Sequence, residues 1–281
     1  MQGAAEIRDG QRRKWAALSA GWEKWDSIIM DQLAPVSAAI IESLHLTSAQ
    51  HHLDVASGTG EPGLTIAKLS SLGRVVLSDL SADMLSVAAR RAAAQGISTI
   101  ETHVCSADDL PFDDATFDSA AVRFGYMFFP DPAKATAEFR RVLKPGGRVA
   151  AAVWAPPADN PWTTIIMDAV ATEIEVPPPD PDVPNMYRCA ASGCISTLYE
   201  EAGLRDVTEF DVPVELVTDS LDQWWEMTSE HISAAAAALQ QVDEAARGRI
   251  RAHATAAVGR YVTEGKVRVP GLARCIAATR A

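Results

Sequence analysis

Leu53-Asp54-Val55-Ala56-Ser57-Gly58-Thr59-Gly60-Glu61-Pro62-Gly63 passes from apolar residues through an acid into clustered glycines, and this order decides the fold. Leu53 to Ala56 reads as a buried parallel strand. Gly58 and Gly60 let the backbone turn tightly and approach a ligand with no Cβ in the way. Pro62 suits the first helical position, so a helix is predicted to begin directly after the turn. A strand, a glycine turn and a helix N-terminus together make a nucleotide site at the carboxyl edge of a parallel sheet. Val75-Val76-Leu77-Ser78-Asp79 is a second apolar strand ending in an acid. Asp79 is placed there to accept hydrogen bonds from ribose hydroxyls.

The string Gly58-x-Gly60-x-x-Gly63 also matches the dinucleotide fingerprint, so a nicotinamide-dependent oxidoreductase is an alternative on these residues. The rest of the chain separates the two. Asp54 precedes the first glycine, where it could meet a cationic amino group. Asp108-Asp109-Leu110-Pro111-Phe112, Phe117-Asp118 and Arg141-Val142-Leu143-Lys144-Pro145-Gly146-Gly147-Arg148 then follow in order. From about Leu53 to Trp154 this set resembles the class I S-adenosylmethionine-dependent methyltransferases. The nearest branch is that of the ubiquinone and menaquinone C-methyltransferases, with natural-product (indole) methyltransferases beside it. The resemblance implies an α/β, Rossmann-like, mostly parallel seven-stranded sheet with helices on both faces, and S-adenosyl-L-methionine as cofactor. It also implies that Ala56, Ser57, Gly58 and Gly60 line the methionine and ribose part of the cofactor. Asp79 would hold the ribose diol, with Leu80 and Met84 against the adenine. Where the family has an aspartate four residues before the Leu-Pro-Phe element, this chain has Ser106, followed by Ala107. A neutral hydroxyl is a weaker acceptor than a carboxylate, and Asp108 could substitute by a small shift. Arg123-Phe124-Gly125-Tyr126 follows the fourth strand, so Arg123 belongs with the cofactor's amino acid end, and Phe124 and Tyr126 with the substrate. Phe128 and Phe129 read as core, and Lys144 to Gly147 as a structural turn.

Composition fits an enzyme of small molecules. The 281 residues are 48% hydrophobic, enough for a sizeable core. A net charge of −12 argues against nucleic acid or an anionic membrane as partner. The four cysteines have no metal-ligand spacing, Cys105 and Cys275 lie in strand-like runs as packing residues, and no metal is expected. The polar N-terminus lacks a secretory segment and no apolar run looks long enough to cross a bilayer, so a cytoplasmic protein is expected. A homodimer stays open.

Residues 1–48 read as a helical segment forming part of a cap, with Trp15, Leu18, Trp22, Trp25 and Ile29 on one face. Residues 49–281 form the core, interrupted by inserts at about 156–192 and 219–262. The first insert, with Pro156-Pro157, Pro161 and Pro177 to Pro184, reads as a long ordered loop. The second reads as helical from Ser220, and Pro270-Gly271 marks a bend in the last strand. Trp15 reads as docking its helix on the sheet, while Trp22 and Trp25 stand near enough to the site to line it. Trp224, Met227 and His231 fall at i, i+3 and i+7, on one face of a cap helix. The plain alternative for His231 is a buried structural imidazole. With an ordinary pKa of about 6.5 it is otherwise the candidate base, and Tyr126 stands second. Seven tryptophans favour a flat, electron-rich aromatic acceptor held by stacking. Carbon methylation of an indole-like metabolite or a quinol is the leading reading, with oxygen or nitrogen methylation next. A cofactor-binding module without catalysis is a further alternative.

Overall fold

Val75, Val76 and Leu77 are all shielded from solvent. Because successive strand residues point to opposite faces, the sheet they belong to is covered on both sides. The computed structural model describes residues 3–69, 73–176 and 183–281. Its strands are β1 (His51–Val55), β2 (Arg74–Asp79), β3 (Ile100–Val104), β4 (Phe117–Arg123), β5 (Leu143–Trp154), β6 (Leu204–Thr218), β7 (Val262–Thr263) and β8 (Lys266–Arg280). They form one sheet in the order β3-β2-β1-β4-β5-β8-β6, with β7 folded onto β8. The first five are parallel, and β8 runs antiparallel between β5 and β6. The two-residue β7 raises the count to eight, against the seven expected. Pro270 and Gly271 stay in register with Glu215 and Val214, so no bend breaks β8. β5 likewise begins at Leu143 and runs through the expected Lys144–Gly147 turn, with a register shift against β4.

The helices are α1 (Ala4–Lys24), α2 (Asp26–Leu44), α3 (Gly63–Ala67), α4 (Ala82–Ala94), α5 (Pro132–Val142), α6 (Pro161–Val170), α7 (Cys194–Glu201), α8 (Leu221–His231), α9 (Ser233–Leu239) and α10 (Glu244–Val258). Ser81 caps α4 by accepting from the Met84 N–H, and Ser220 caps α8 through Gln223. Pro62 stands just before α3 rather than inside it.

Residues 1–48 are not one cap. α2 buries Ile29, Leu33, Val36, Ile40 and Leu44 and packs on β4, β5, β6 and β8. By length and composition α2 is also apolar enough to cross a bilayer, which corrects the sequence reading. Its apolar stripe is spent on the sheet instead. α1 buries no residue completely. It is tied down by Arg8–Asp108 at 3.2 Å, Glu23–Arg90 at 2.8 Å and Lys24–Glu230 at 2.7 Å.

The first insert contains a helix where a loop was expected. Pro161 opens α6, and at N1 a proline loses only an N–H that would have no helical partner. Residues Pro177 to Asp182 of the proline run lie outside the described residues. The second insert is the helical stack α8–α10, packed against α6. Asn160 joins the first insert to the sheet. Its Nδ2 donates to the Ala155 and Leu272 carbonyls at 3.0 and 3.1 Å, and its Oδ1 accepts from Leu272 N–H and Trp162 Nε1 at 3.0 and 3.1 Å. Asn160→Ala strands several buried polar groups at once, each worth about 1–3 kcal/mol. Urea denaturation of this variant should show a loss of roughly 2–4 kcal/mol; an unchanged midpoint would show that the network contributes little.

Candidate functional site

A cavity of about 550 Å³ opens at the carboxyl ends of β1, β2, β4 and β5 under α1, a size usual for small-molecule sites. The three fingerprint glycines serve different ends. Gly58 has φ +53°, and a Cβ there would meet nothing within 4 Å, so its side faces open space. A Cβ on Gly60 would lie 2.7 Å from Leu64 Cδ1, and one on Gly63 would lie 2.7 Å from Asp54 Oδ2. Gly58 borders the cavity; Gly60 is a packing glycine and does not, contrary to expectation.

Asp79 ends β2 with its carboxylate accepting the N–H of Gly58 at 2.9 Å and of Ser81 at 2.8 Å. Burial raises its pKa, while these N–H groups oppose the rise. It stands in the cavity wall with Ala56, Ser57, Leu80 and Met84. Arg91 of α4 clamps the glycine loop by donating to the Thr59 carbonyl at 2.6 Å and pairing with Asp26 at 3.2 Å.

Asp54 does not reach the cavity. Its Oδ2 accepts the Gly63 N–H at 2.7 Å, and burial pushes its carboxyl up to about 7. It serves the start of α3 rather than an amino group in the site. Asp108 is also outside the wall, 1% exposed, where it pairs with Arg8 and accepts the Ser106 hydroxyl. Ser106 and Ala107 are in the wall. Because the Ser106 proton is directed to Asp108, its oxygen keeps lone pairs for an incoming donor. Arg123 also lines the cavity, donating to Ser37 Oγ at 3.0 Å and toward Met30 Sδ. Burial lowers its pKa, offset by the fields of Glu61 and Asp54.

The other end of the cavity is aromatic. Phe124, held at φ +60°, stacks on Trp154 with centroids 4.2 Å apart, and Trp154 meets Trp162 at 4.9 Å. Trp22 touches the His231 ring at 4.5 Å, and both line the cavity. His231 Nδ1 is buried without a partner, and burial depresses the imidazole to about 4. It is therefore neutral at pH 7 and a weaker base than its ordinary pKa implies.

Several expected residues point elsewhere. Tyr126 is fully buried, bonded to Thr136 and packed against Phe129, Phe139 and Tyr199. Trp224 and Met227 are also fully buried outside the cavity; of α8 only His231, at its end, reaches the site. Trp25 is buried outside the cavity, with its Nε1 donating to Glu230 at 2.8 Å. Conversely, Trp15, Phe128, Phe129 and Cys105, read as packing residues, all border the cavity. Thr163 and Tyr187, hydrogen-bonded to each other in the first insert, line it too, and no motif marked them. Trp154 and Phe124 had a usable signal, since both stand where a parallel strand ends.

The pattern of the ubiE/COQ5 methyltransferase family matches residues 22–160. The demethylmenaquinone methyltransferase of Thermus thermophilus is 39% identical over 107 residues, which is 37% of this chain and 47% of that protein. The ubiquinone/menaquinone biosynthesis C-methyltransferase UbiE of Cellvibrio japonicus is 40% identical over 111 residues, 39% of this chain and 45% of that one. The matched stretch thus spans just under half the length of each relative. Among solved structures, the YcgJ protein of Bacillus subtilis has a TM-score of 0.56 at 18% identity, covering 87% of this chain and 97% of that one, and shares the fold. None of these comparisons supports a nicotinamide-dependent oxidoreductase.

The glycine geometry yields a paired test. Gly58→Val should stay folded, with some loss of stability from the left-handed φ of +53°, and lose at least tenfold in affinity for S-adenosylhomocysteine, since the side chain enters open space. Gly60→Val should lower the melting temperature by several degrees, since Leu64 and Ala88 leave no room. Calorimetry and thermal melts separate the two; reversed behaviour would contradict the assignment.

Proposed function

We propose that this chain, whose residues 22–160 match the pattern of the ubiE/COQ5 methyltransferase family, is a class I S-adenosylmethionine-dependent methyltransferase that methylates a carbon of a small electron-rich aromatic molecule. The observation that carries the reading is one continuous cavity joining the Gly58–Asp79 corner to the Phe124–Trp154–Trp162 stack. The residues suit S-adenosylmethionine. Gly58 leaves the space that a Cβ would fill, Ser57 Oγ is buried without a partner, and Ser106 keeps a free acceptor. Asp79 would take the ribose hydroxyls on the lone pairs its backbone donors leave, and Ser106 an adenine amino group. When bound, that cofactor supplies an electrophilic methyl group on a sulfonium.

The chain's own task is then alignment and exclusion of water. The stacked rings present a flat face to a flat acceptor. The state of His231 favours carbon over oxygen. A phenol has a pKa of about 10, and an imidazole near 4 is poorly matched to removing its proton. A ring carbon sheds its proton only after attack, when it is strongly acidic, so a weakly basic imidazole suffices to accept it. The names of the relatives point the same way, toward hydroquinone or related rings. This reading places the reaction in the cytoplasm, with no nucleic acid involved and dimerisation left open.

Formation of S-adenosylhomocysteine in the presence of indoles and hydroquinones, with the methyl group located on carbon by NMR, tests the activity. Asp79→Ala removes a charged acceptor worth about 1.5–3 kcal/mol and should weaken S-adenosylhomocysteine binding tenfold to a hundredfold. Unchanged affinity in the folded variant would place the nucleoside elsewhere. His231→Ala should reduce turnover at least tenfold. The wild-type rate should show no limb near pH 6.5 from this residue, because it stays neutral down to about 4. A limb near 6.5 that vanishes in the variant would contradict the burial argument.

A further inference from the structure

α1 directs Lys14 into the cavity, and no carboxylate among the described residues lies within ion-pair distance of it. Three of the other four cations of this helix are matched, Arg8 with Asp108 at 3.2 Å, Arg12 with Asp9 at 2.8 Å and Lys24 with Glu230 at 2.7 Å, and the fourth, Arg13, is exposed to solvent. The Lys14 ammonium instead sits 5.4 Å from the Phe128 ring centroid and 5.9 Å from that of Trp15. Burial lowers its pKa, the sign of a charge removed from water without an anion to balance it. One turn back, the Gln11 side chain also lines the cavity, with its Oε1 buried and unpartnered. In a chain of net charge −12, carboxylates are plentiful, yet among the described residues none pairs with Lys14.

We propose that Lys14 and Gln11 form an anion subsite in the roof of the cavity, and that the acceptor is an aromatic acid whose carboxylate binds there while its ring lies against the Phe124–Trp154 wall. The inference rests on the methyltransferase reading and adds the substrate class. Lys14 would pair with one carboxylate oxygen. The Gln11 amide, turned about its last bond, would donate N–H to the other. The cofactor's own carboxylate has the same chemistry, but the surroundings assign Lys14 to the acceptor. Its ring neighbour Trp15 leads at 6.3 Å to Trp22 and on to His231, the aromatic end of the cavity. Arg123 is the cation at the glycine-loop end, within the fields of Glu61 and Asp54.

The test is calorimetry on the full chain, first with S-adenosylhomocysteine alone, then on the loaded protein with indole-3-acetate and its neutral twin indole-3-acetamide. Wild type should bind the acid at least tenfold more tightly than the amide. Lys14→Met should bring the two within twofold while changing S-adenosylhomocysteine affinity less than twofold, and Lys14→Arg should keep the preference. Equal binding of acid and amide by the loaded wild type, including none by either, overturns the subsite alone. A tenfold loss of S-adenosylhomocysteine affinity in Lys14→Met also overturns it, by giving Lys14 to the cofactor. Failure of wild type to bind S-adenosylhomocysteine overturns the methyltransferase reading, and the subsite with it.

Discussion

Two N–H groups, of Gly58 and Ser81, converge on the Asp79 carboxylate, and the rest of the site depends on that convergence. The bonds join the end of β2 to the loop after β1 and to the N-cap of α4. A buried carboxylate is costly unless donors surround it, so the chain places one where two backbone donors already point inward. Arg91 adds a second brace from α4 to the same loop through Thr59. The open space beside Gly58 therefore has rigid edges on three elements, as a preorganised ligand site requires.

Above this floor, the enclosure is built from pieces with different kinds of hold. α2 is fixed by apolar burial on the sheet. α1 has no fully buried residue and is held by ion pairs between partly exposed side chains, each of which contributes modestly in water, together with ring contacts of Trp15 on Phe128 and Trp22 on His231. The first insert is anchored at Asn160, whose bonds to Leu272 align Trp162 beside Trp154. The aromatic end of the cavity is thus shaped by residues far apart in the chain, brought together by the antiparallel pairing of β5 and β8.

That division explains what the sequence reveals. Apolar runs, clustered glycines and an acid after a strand are local signals, and β1, β2, β4 and the Gly58–Asp79 corner were legible from them. Periodicity located α8 but not its surroundings: Trp224 and Met227 form a real stripe, and the stripe is core because α8 is packed among α9, α10, α6 and the sheet. Tyr126 misleads similarly, since a position after a parallel strand says nothing about which way a ring turns once Phe139 and Tyr199 surround it. Asp54 was read as meeting a cationic amino group, whereas its actual partner, the Gly63 N–H, follows from a loop geometry that no spacing specifies. Thr163 and Tyr187 belong to an insert without a motif, and only tertiary packing brings them to the site.

The central claim is that one cavity holds a nucleoside at the Asp79 corner and an aromatic acceptor against the Phe124–Trp154 wall. A crystal structure of the protein with S-adenosylhomocysteine tests it most directly. The account predicts ribose hydroxyls on the Asp79 carboxylate, the adenine edge beside Ser106 and the sulfur facing the aromatic wall. A nucleoside bound away from Asp79, or a sulfur directed away from the space before Phe124 and Trp154, would contradict it.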